Sequence, residues 1–98
     1  MTSEIAVYEA LKYHIEVNPI TGTRVYYDRD DLPHRVDGPA VEFVDGTELW
    51  YQHGLRHRTD GPAIVRANGV RRWFLYGKEF TEENHRLMLN VMVPQNDH

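Results

Sequence analysis

The sequence lacks cysteine and holds a single serine and only two lysines among its 98 residues. Without thiols there is no disulfide framework, no thiolate zinc site and no cysteine nucleophile. The serine, Ser3, stands outside any G-x-S-x-G elbow, so a serine nucleophile is not predicted either. No apolar run approaches the roughly 18 residues of a membrane span. Because the first ten residues carry two acidic and no basic side chains, no secretory signal is predicted and a cytoplasmic location is expected.

The composition suits one folded domain over residues 1–98, with 41% hydrophobic and 27% charged residues. The formal net charge of −4 argues against binding of polyanions by the whole surface. The charge is unevenly distributed. Residues 1–48 carry ten acidic and four basic side chains, whereas residues 49–73 carry five arginines against one aspartate. The second of these segments is therefore the candidate contact for an acidic partner.

The chain contains an internal repeat. Two adjacent segments of 23 residues share the string H-R-x-D-G-P-A and, further on, matching Gly, Trp and Gly residues. A fainter, degenerate copy precedes them, because a shift of 24 residues places Trp50 on Tyr26. The three units cover residues 13–33, 34–56 and 57–79. Repetition of this kind predicts one small structure formed three times.

Each unit is predicted to form a β-hairpin. In the two full copies an apolar run precedes Asp45-Gly46 or Asn68-Gly69, and a second apolar run follows. Asp-Gly and Asn-Gly favour two-residue type I′ turns, whose twist matches the flanking strands. The resulting register pairs Val41 with Trp50, with equivalent aromatic pairs in the other copies. The predicted fold is mainly β, an antiparallel meander of three hairpins with about six strands.

Both ends of the chain are predicted to be helical. A C-terminal helix over residues 80–93 has Thr81 as its N-cap, two glutamates in its first turn and Pro94 as a limit. Near the N-terminus we expect a short helix over residues 3–10 and a strand over residues 11–18, although apolar alternation there also fits a longer strand. The helices are expected to cover one face of the sheet, which makes the fold α+β.

The repeated H-R-x-D string holds side chains that could ligate a metal or transfer protons. These residues are His34, Arg35, Asp37, His57, Arg58 and Asp60. Each copy supplies one imidazole and one carboxylate, and no H-x-H or H-x-x-x-H spacing places two ligands on one element, so no metal site is predicted. We interpret the string as structural: each arginine pairs with an aspartate of the loops, and each histidine caps a turn. The alternative is a hydrolase or transferase whose imidazoles meet a carboxylate in an open cleft. Under the structural interpretation, which we prefer, no catalytic residue and no cofactor is predicted.

The third hairpin and the segment before it are rich in arginine. Arg66 and Arg71 are predicted to face each other across the strands on the side of Trp73, with Arg72 on the opposite side. Because like charges in this position are mildly destabilising, they indicate an anionic partner, unless acidic residues such as Glu48 pair with them. The predicted partner-binding residues are Arg56, Arg58, Arg66, Arg71, Arg72 and Trp73.

These patterns predict a non-enzymatic module that binds another protein and forms a homodimer. Aromatic and arginine side chains are the usual anchors of protein interfaces. A meander leaves two sheet edges, and the two oppositely charged segments complement each other in a two-fold pairing. The alternative function is binding of nucleic acid or a phosphorylated small ligand by the same arginines, with aromatic rings stacking on bases. The overall acidity and the two lysines weigh against this alternative.

The repeats resemble those of MORN-like β-hairpin repeat proteins. The resemblance is carried by D-G-P-A, by the Asp-Gly or Asn-Gly turn, and by W-Y or W-F followed by glycine; it covers residues 34–79 and, more weakly, 13–33. The H-R-x-D-G-P-A variant is typical of small proteins of phages and large viruses. It implies stacked hairpins and a role in partner binding, and a phage origin implies action on a host or defence factor in the host cytoplasm. The few repeats and the non-repeated flanks imply a compact module rather than a long solenoid.

Overall fold

The computed structural model describes residues 14–92, which form nine strands and one helix. The strands are β1 (His14–Val17), β2 (Arg24–Tyr27), β3 (Val41–Glu42), β4 (Glu48–Leu49), β5 (Tyr51–Gln52), β6 (Leu55–Arg56), β7 (Ile64–Val65), β8 (Arg71–Leu75) and β9 (Lys78–Phe80). Helix α1 (Glu82–Met92) follows the last strand. The short helix expected over residues 3–10 lies outside the described residues.

Seven of these strands form one antiparallel sheet in the order β1-β2-β3-β4-β7-β8-β9, and β5 and β6 pair separately. Sheet neighbours follow one another along the chain apart from the β5–β6 hairpin, so the sheet is a meander. The predicted mainly β fold with a C-terminal helix is confirmed. The strand count exceeds the expected six because the second half of each full repeat continues into another hairpin, β5–β6 in one copy and β8–β9 in the next.

The turns at Asp-Gly and Asn-Gly differ from the expected type I′ geometry. The Phe43 amide bonds to the Thr47 carbonyl at 2.9 Å, which leaves three residues in the loop, and of these only Gly46 has a positive φ, +94°. Such a loop is a type I turn followed by a left-handed glycine. The carboxylate of Asp45 accepts the Thr47 amide at 2.8 Å, a bond that lowers the pKa of Asp45. This local bond is an Asx turn, and it accompanies the three-residue loop in which Asp45 keeps a negative φ.

Longer loops move the register of each predicted hairpin, by one residue at the Asp-Gly and Asn-Gly loops and by two at the four-residue loop between Asn18 and Thr23. The predicted pairing of Val41 with Trp50 is wrong, and so are its equivalents in the other two copies. The observed partners are Leu49 for Val41, Arg72 for Ile64 and Arg24 for Val17. Because directly opposed residues share a face, each predicted aromatic pair is lost and the arginines of the third hairpin are redistributed between the faces.

Two-residue turns occur instead at positions that the sequence did not single out. His53-Gly54 joins β5 to β6 and Tyr76-Gly77 joins β8 to β9. Both residues of each pair have a positive φ, 47° and 82° in the first turn and 48° and 85° in the second. Two consecutive positive values define the type I′ turn. The full repeats therefore contain two hairpins of different turn type.

The described core lies around the third repeat. Ala63, Ile64 and Phe74 form a buried cluster, against which Leu49 and Trp50 pack. Complete burial of a side chain such as Ile64 contributes roughly 1.5–3 kcal/mol.

Helix α1 packs against β8 and β9. The side chain of Thr81 accepts the Asn84 amide at 3.1 Å, so the predicted N-cap is confirmed. No helix within residues 14–92 combines the length and the apolar content that crossing a bilayer requires.

Candidate functional site

The second H-R-x-D-G-P loop is closed by its own arginine. Arg58 donates from Nε to Asp60 at 2.8 Å and from Nη1 to the Pro62 carbonyl at 3.1 Å. Its guanidinium carbon lies 3.8 Å from the ring centroid of Trp50, a cation–π contact. The hydrogen bond from Arg58 also lowers the pKa of Asp60. The guanidinium of Arg58, which was predicted to bind a partner, therefore donates from Nε and Nη1 to its own loop and lies against a ring of the preceding repeat.

The first such loop has the same arrangement. Arg35 lies 3.5 Å from the Asp37 carboxylate, donates to the Pro39 carbonyl at 3.3 Å and stacks on Tyr26 at 4.1 Å. Glu42 adds a second carboxylate at 3.7 Å. Both loops thus contain the arginine–aspartate pair expected from the sequence, together with an aromatic ring that sequence analysis did not assign to it.

The histidine of each loop holds the type I′ turn of the following hairpin. Nδ1 of His57 accepts the Tyr76 amide at 3.0 Å, and Nδ1 of His34 accepts the His53 amide at 2.9 Å. Each ring also lies against the side chain of the residue whose amide it accepts: His57 is tilted by 33° to Tyr76 with centroids 4.1 Å apart, and His34 stacks on His53 at 3.9 Å. Both histidines are buried. A general base needs a lone pair that reaches substrate, and here Nδ1 is already occupied by a backbone amide.

A buried carboxylate, Asp28, was missed by sequence analysis. Its Oδ2 accepts from Nδ1 of His53 at 2.7 Å, and its Oδ1 accepts the amides of Asp30 and Leu32. Burial alone would raise the pKa of Asp28, but these hydrogen bonds outweigh it and the pKa is lowered. The only signal was the extra residue in D-R-D-D-L-P, whose loop this carboxylate closes.

Asp28, His34 and His53 each place one ligand atom within 4.8 Å of the others, which raises the question of a metal site. The Nδ1 lone pair of His34 is used by an amide. A neutral imidazole in that state carries its proton on Nε2 and offers no second lone pair. Asp28 and His53 alone fall short of the three or four protein ligands of a zinc site. The cluster is better explained as a hydrogen-bonded support for the β5–β6 turn.

The predicted arginine cluster is divided between the two faces of the sheet. Arg71 lies opposite Val65, and the Arg66 amide bonds to the Val70 carbonyl, so the predicted Arg66–Arg71 pair is wrong. Alternation along the strands puts Arg71 with Trp73 on one face and Arg66 on the other.

The five arginines differ in how far they are engaged. Arg72 donates two hydrogen bonds to Glu79, at 2.6 and 2.7 Å, which lower the pKa of Glu79. Arg56 approaches the Tyr51 hydroxyl at 3.4 Å. Within residues 14–92 the side chains of Arg66 and Arg71 form no ion pair or hydrogen bond, and both are exposed. Of the predicted contact residues, these two arginines remain available to a partner.

An open groove of about 720 Å³ runs between β8, β9 and the start of α1. We call it the β8–β9 groove. Arg71 and Lys78 line it as exposed cations, and Trp73 and Phe80 line it as half-buried aromatic rings that face each other across the two strands. Sequence analysis had grouped Arg71 with Trp73, but it missed Lys78 and Phe80 because the β8–β9 hairpin itself was not predicted.

Comparison of the chain with protein-family models, with curated proteins and with solved structures gave no match. The assignment of a function therefore depends on the residues of the β8–β9 groove and on their neighbours.

Proposed function

We propose that this chain is a non-enzymatic protein-binding module whose β8–β9 groove takes an acidic, partly apolar segment of another protein. One observation carries the proposal: the groove combines two exposed cations, Arg71 and Lys78, with two half-buried aromatic rings, Trp73 and Phe80. Neither cation has an ion-pair partner among residues 14–92. In a partner segment, a carboxylate would pair with the cations, and an apolar side chain next to it would pack against the aromatic rings.

The chemistry of the lining is that of protein interfaces. Tryptophan and arginine are enriched among the residues that dominate binding energy. The groove is also held in shape before any partner arrives, because the paired hydrogen bonds from Arg72 to Glu79 cross-link β8 and β9. A preformed groove lowers the ordering cost of binding.

The alternative ligand, a nucleic acid, has less support from the geometry. Glu79 and Glu82 line the same groove and repel an anion of either kind, so they do not distinguish the two ligands. Arg66 and Arg71 lie on opposite faces of the sheet, so they do not form the continuous basic track that single strands follow. Nucleic-acid binding is therefore retained as an outcome of the test.

The test is a charge reversal at the groove. The double variant Arg71→Glu, Lys78→Glu is compared with Arg24→Glu, Arg29→Glu, which changes the net charge equally at two exposed arginines outside the groove. Fluorescence anisotropy measures binding of a synthetic peptide array in which Glu or Asp alternates with Leu, Phe or Trp. We expect wild type and control to bind members of the array, and the groove variant to bind them about tenfold more weakly or worse.

Two results would overturn the proposal. One is an array in which no peptide distinguishes the groove variant from the control. The other is binding of a dT oligonucleotide with a steep salt dependence and no peptide binding, which would favour the nucleic-acid alternative.

A further inference from the structure

Two walls of the β8–β9 groove are tied to a single dipeptide, His57-Arg58. Nδ1 of His57 accepts the amide of Tyr76, in the turn from which β9 starts, at 3.0 Å. The carbonyl of Arg58 accepts from Nε2 of His85, on helix α1, at 2.7 Å. Both imidazoles are buried, His57 to 3% exposure and His85 to 4%. Two neighbouring histidine bonds therefore join the β8–β9 turn and α1 to one dipeptide. They add to the strand pairing of β8 with β9 and to the bond of the Gly77 amide to the Arg56 carbonyl at 2.8 Å.

The bond at His57 exists only while the ring is neutral. An imidazole nitrogen that accepts an N–H must be unprotonated, and a proton added there would set two donors against each other. The charge would also lie in a ring almost without access to water. Burial, and secondarily the nearby His85, lower the pKa of His57 below its ordinary value of about 6.5.

The carboxylates that line the cavity beside the His57 ring are already paired with arginines. The Tyr76 ring covers one face of it at 4.1 Å, and His85 approaches from α1. Arg58, Asp37 and Asp60 line a small cavity of about 180 Å³ beside it. Each of these aspartates already pairs with the arginine of its own loop, Asp37 with Arg35 and Asp60 with Arg58.

We propose that His57 is an acid-sensitive latch: its protonation releases the Tyr76-Gly77 turn and opens the β8–β9 groove. Once the turn is released, Nδ1 regains access to water and takes up its proton at the ordinary pKa. The open form therefore binds more protons than the closed form, and its share increases as the pH falls below about 6.5. Release of a bound partner in mild acid follows from the latch and rests on the proposed function; the opening itself does not.

The opening is measured on the free chain by amide hydrogen exchange, corrected for intrinsic rates, at about pH 7 and about pH 5. We expect protection of the Tyr76 and Gly77 amides to fall about tenfold or more at the lower pH. The Phe43 amide, which bonds to the Thr47 carbonyl at 2.9 Å in the β3–β4 hairpin, serves as the internal reference and is expected to change little.

Variants separate the latch from general acid effects. In His57→Asn the side-chain oxygen replaces Nδ1 as acceptor and does not titrate, so the pH effect on Tyr76 should vanish. His14→Asn removes an exposed histidine at the opposite edge of the sheet and should leave the pH effect on Tyr76 as in wild type. Equal protection of Tyr76 at both pH values in wild type, or an undiminished loss in His57→Asn, would overturn the latch.

A second measurement does not depend on how well His57→Asn folds. Titration of the wild-type His57 ring by NMR should give a pKa below the ordinary value, and a value at or above it would overturn the proposal. Peptide binding is then recorded on the same samples. Binding that persists at the lower pH while the turn opens would count against the groove as binding site but not against the latch.

Discussion

At the scale of single residues, the side chains of the H-R-x-D-G-P string hold one loop together. The arginine stacks on an aromatic ring, the aspartate fixes its Nε, and the histidine accepts the amide of the next turn. The glycine supplies space, because a Cβ on Gly61 would lie 2.9 Å from the guanidinium carbon of Arg58. Gly38 stands in the same relation to Arg35, at 2.8 Å. The histidine, arginine, aspartate and glycine of the string therefore each have a packing or bonding reason, and the proline supplies its backbone carbonyl as an acceptor.

The first prediction concerns Arg58. Replacement by lysine keeps the charge but removes the planar fork that holds Asp60 and the Pro62 carbonyl and that stacks on Trp50. We expect Arg58→Lys to lower the free energy of unfolding by about 1–2 kcal/mol. Urea denaturation measures this loss. The matched change at the exposed Arg66 should stay within about 0.5 kcal/mol of wild type, and a similar loss at both positions would contradict the stacked, bidentate role of Arg58.

At the scale of elements, the hairpins are set by turn residues that act differently. In the β3–β4 hairpin, Asp45 binds the Thr47 amide while Gly46 takes the left-handed conformation. Asn68 repeats the first contact in the third copy, where its side chain accepts the Val70 amide at 3.0 Å. These side-chain bonds accompany the three-residue loop, and the length of that loop decides the register of the strands that follow.

The second prediction follows for Gly46. A Cβ there meets no atom within 4 Å, so a substitution is opposed by backbone conformation alone. We expect Gly46→Ala to cost about 1 kcal/mol in thermal or urea unfolding. D-alanine at the same position, introduced by chemical synthesis, should restore wild-type stability. A loss that D-alanine fails to recover would show that steric contact, rather than the positive φ, limits this position.

The sequence predicts the strands and the helix better than the strand register, and the turn residues show why. The meander and α1 could be predicted because apolar runs, Asp-Gly and Asn-Gly turns and the Thr81 cap are local signals. The register of the paired strands could not be predicted, because it depends on which backbone amide bonds to the Asp45 carboxylate. The Tyr76-Gly77 turn gave little local signal, since tyrosine seldom takes a positive φ; the His53-Gly54 turn was missed although histidine takes one more readily.

The contacts of the candidate site could be predicted in part, because only some of them are local in the sequence. The bond between Arg58 and Asp60 lies within one loop and was predicted. Pairs that span separate elements, such as Arg72 with Glu79 or His85 with the Arg58 carbonyl, required the fold to be known.

At the scale of the whole molecule, the two edges of the described sheet are unlike. Strand β9 is backed by α1, which packs against it. All four residues of β1 are exposed, including Ile15 at 51% and Val17 at 52%. Among residues 14–92 no strand pairs with the outer side of β1. An edge of this kind, with apolar side chains and neither proline nor lysine, favours pairing with another strand.

The last prediction is therefore a homodimer formed through β1. Antiparallel pairing about a two-fold axis at Ile15 places the two copies of that residue face to face and sets each His14 opposite Glu16 of the other chain. The His14–Glu16 pairs that each chain forms at 3.1 Å then meet across the interface. Sedimentation equilibrium at micromolar concentration should give twice the 11.5 kDa chain mass. Ile15→Lys with Val17→Lys should return the monomer, while Val44→Lys, at a 75% exposed turn residue, should leave the dimer intact. A wild-type mass of 11.5 kDa at every concentration would exclude this dimer.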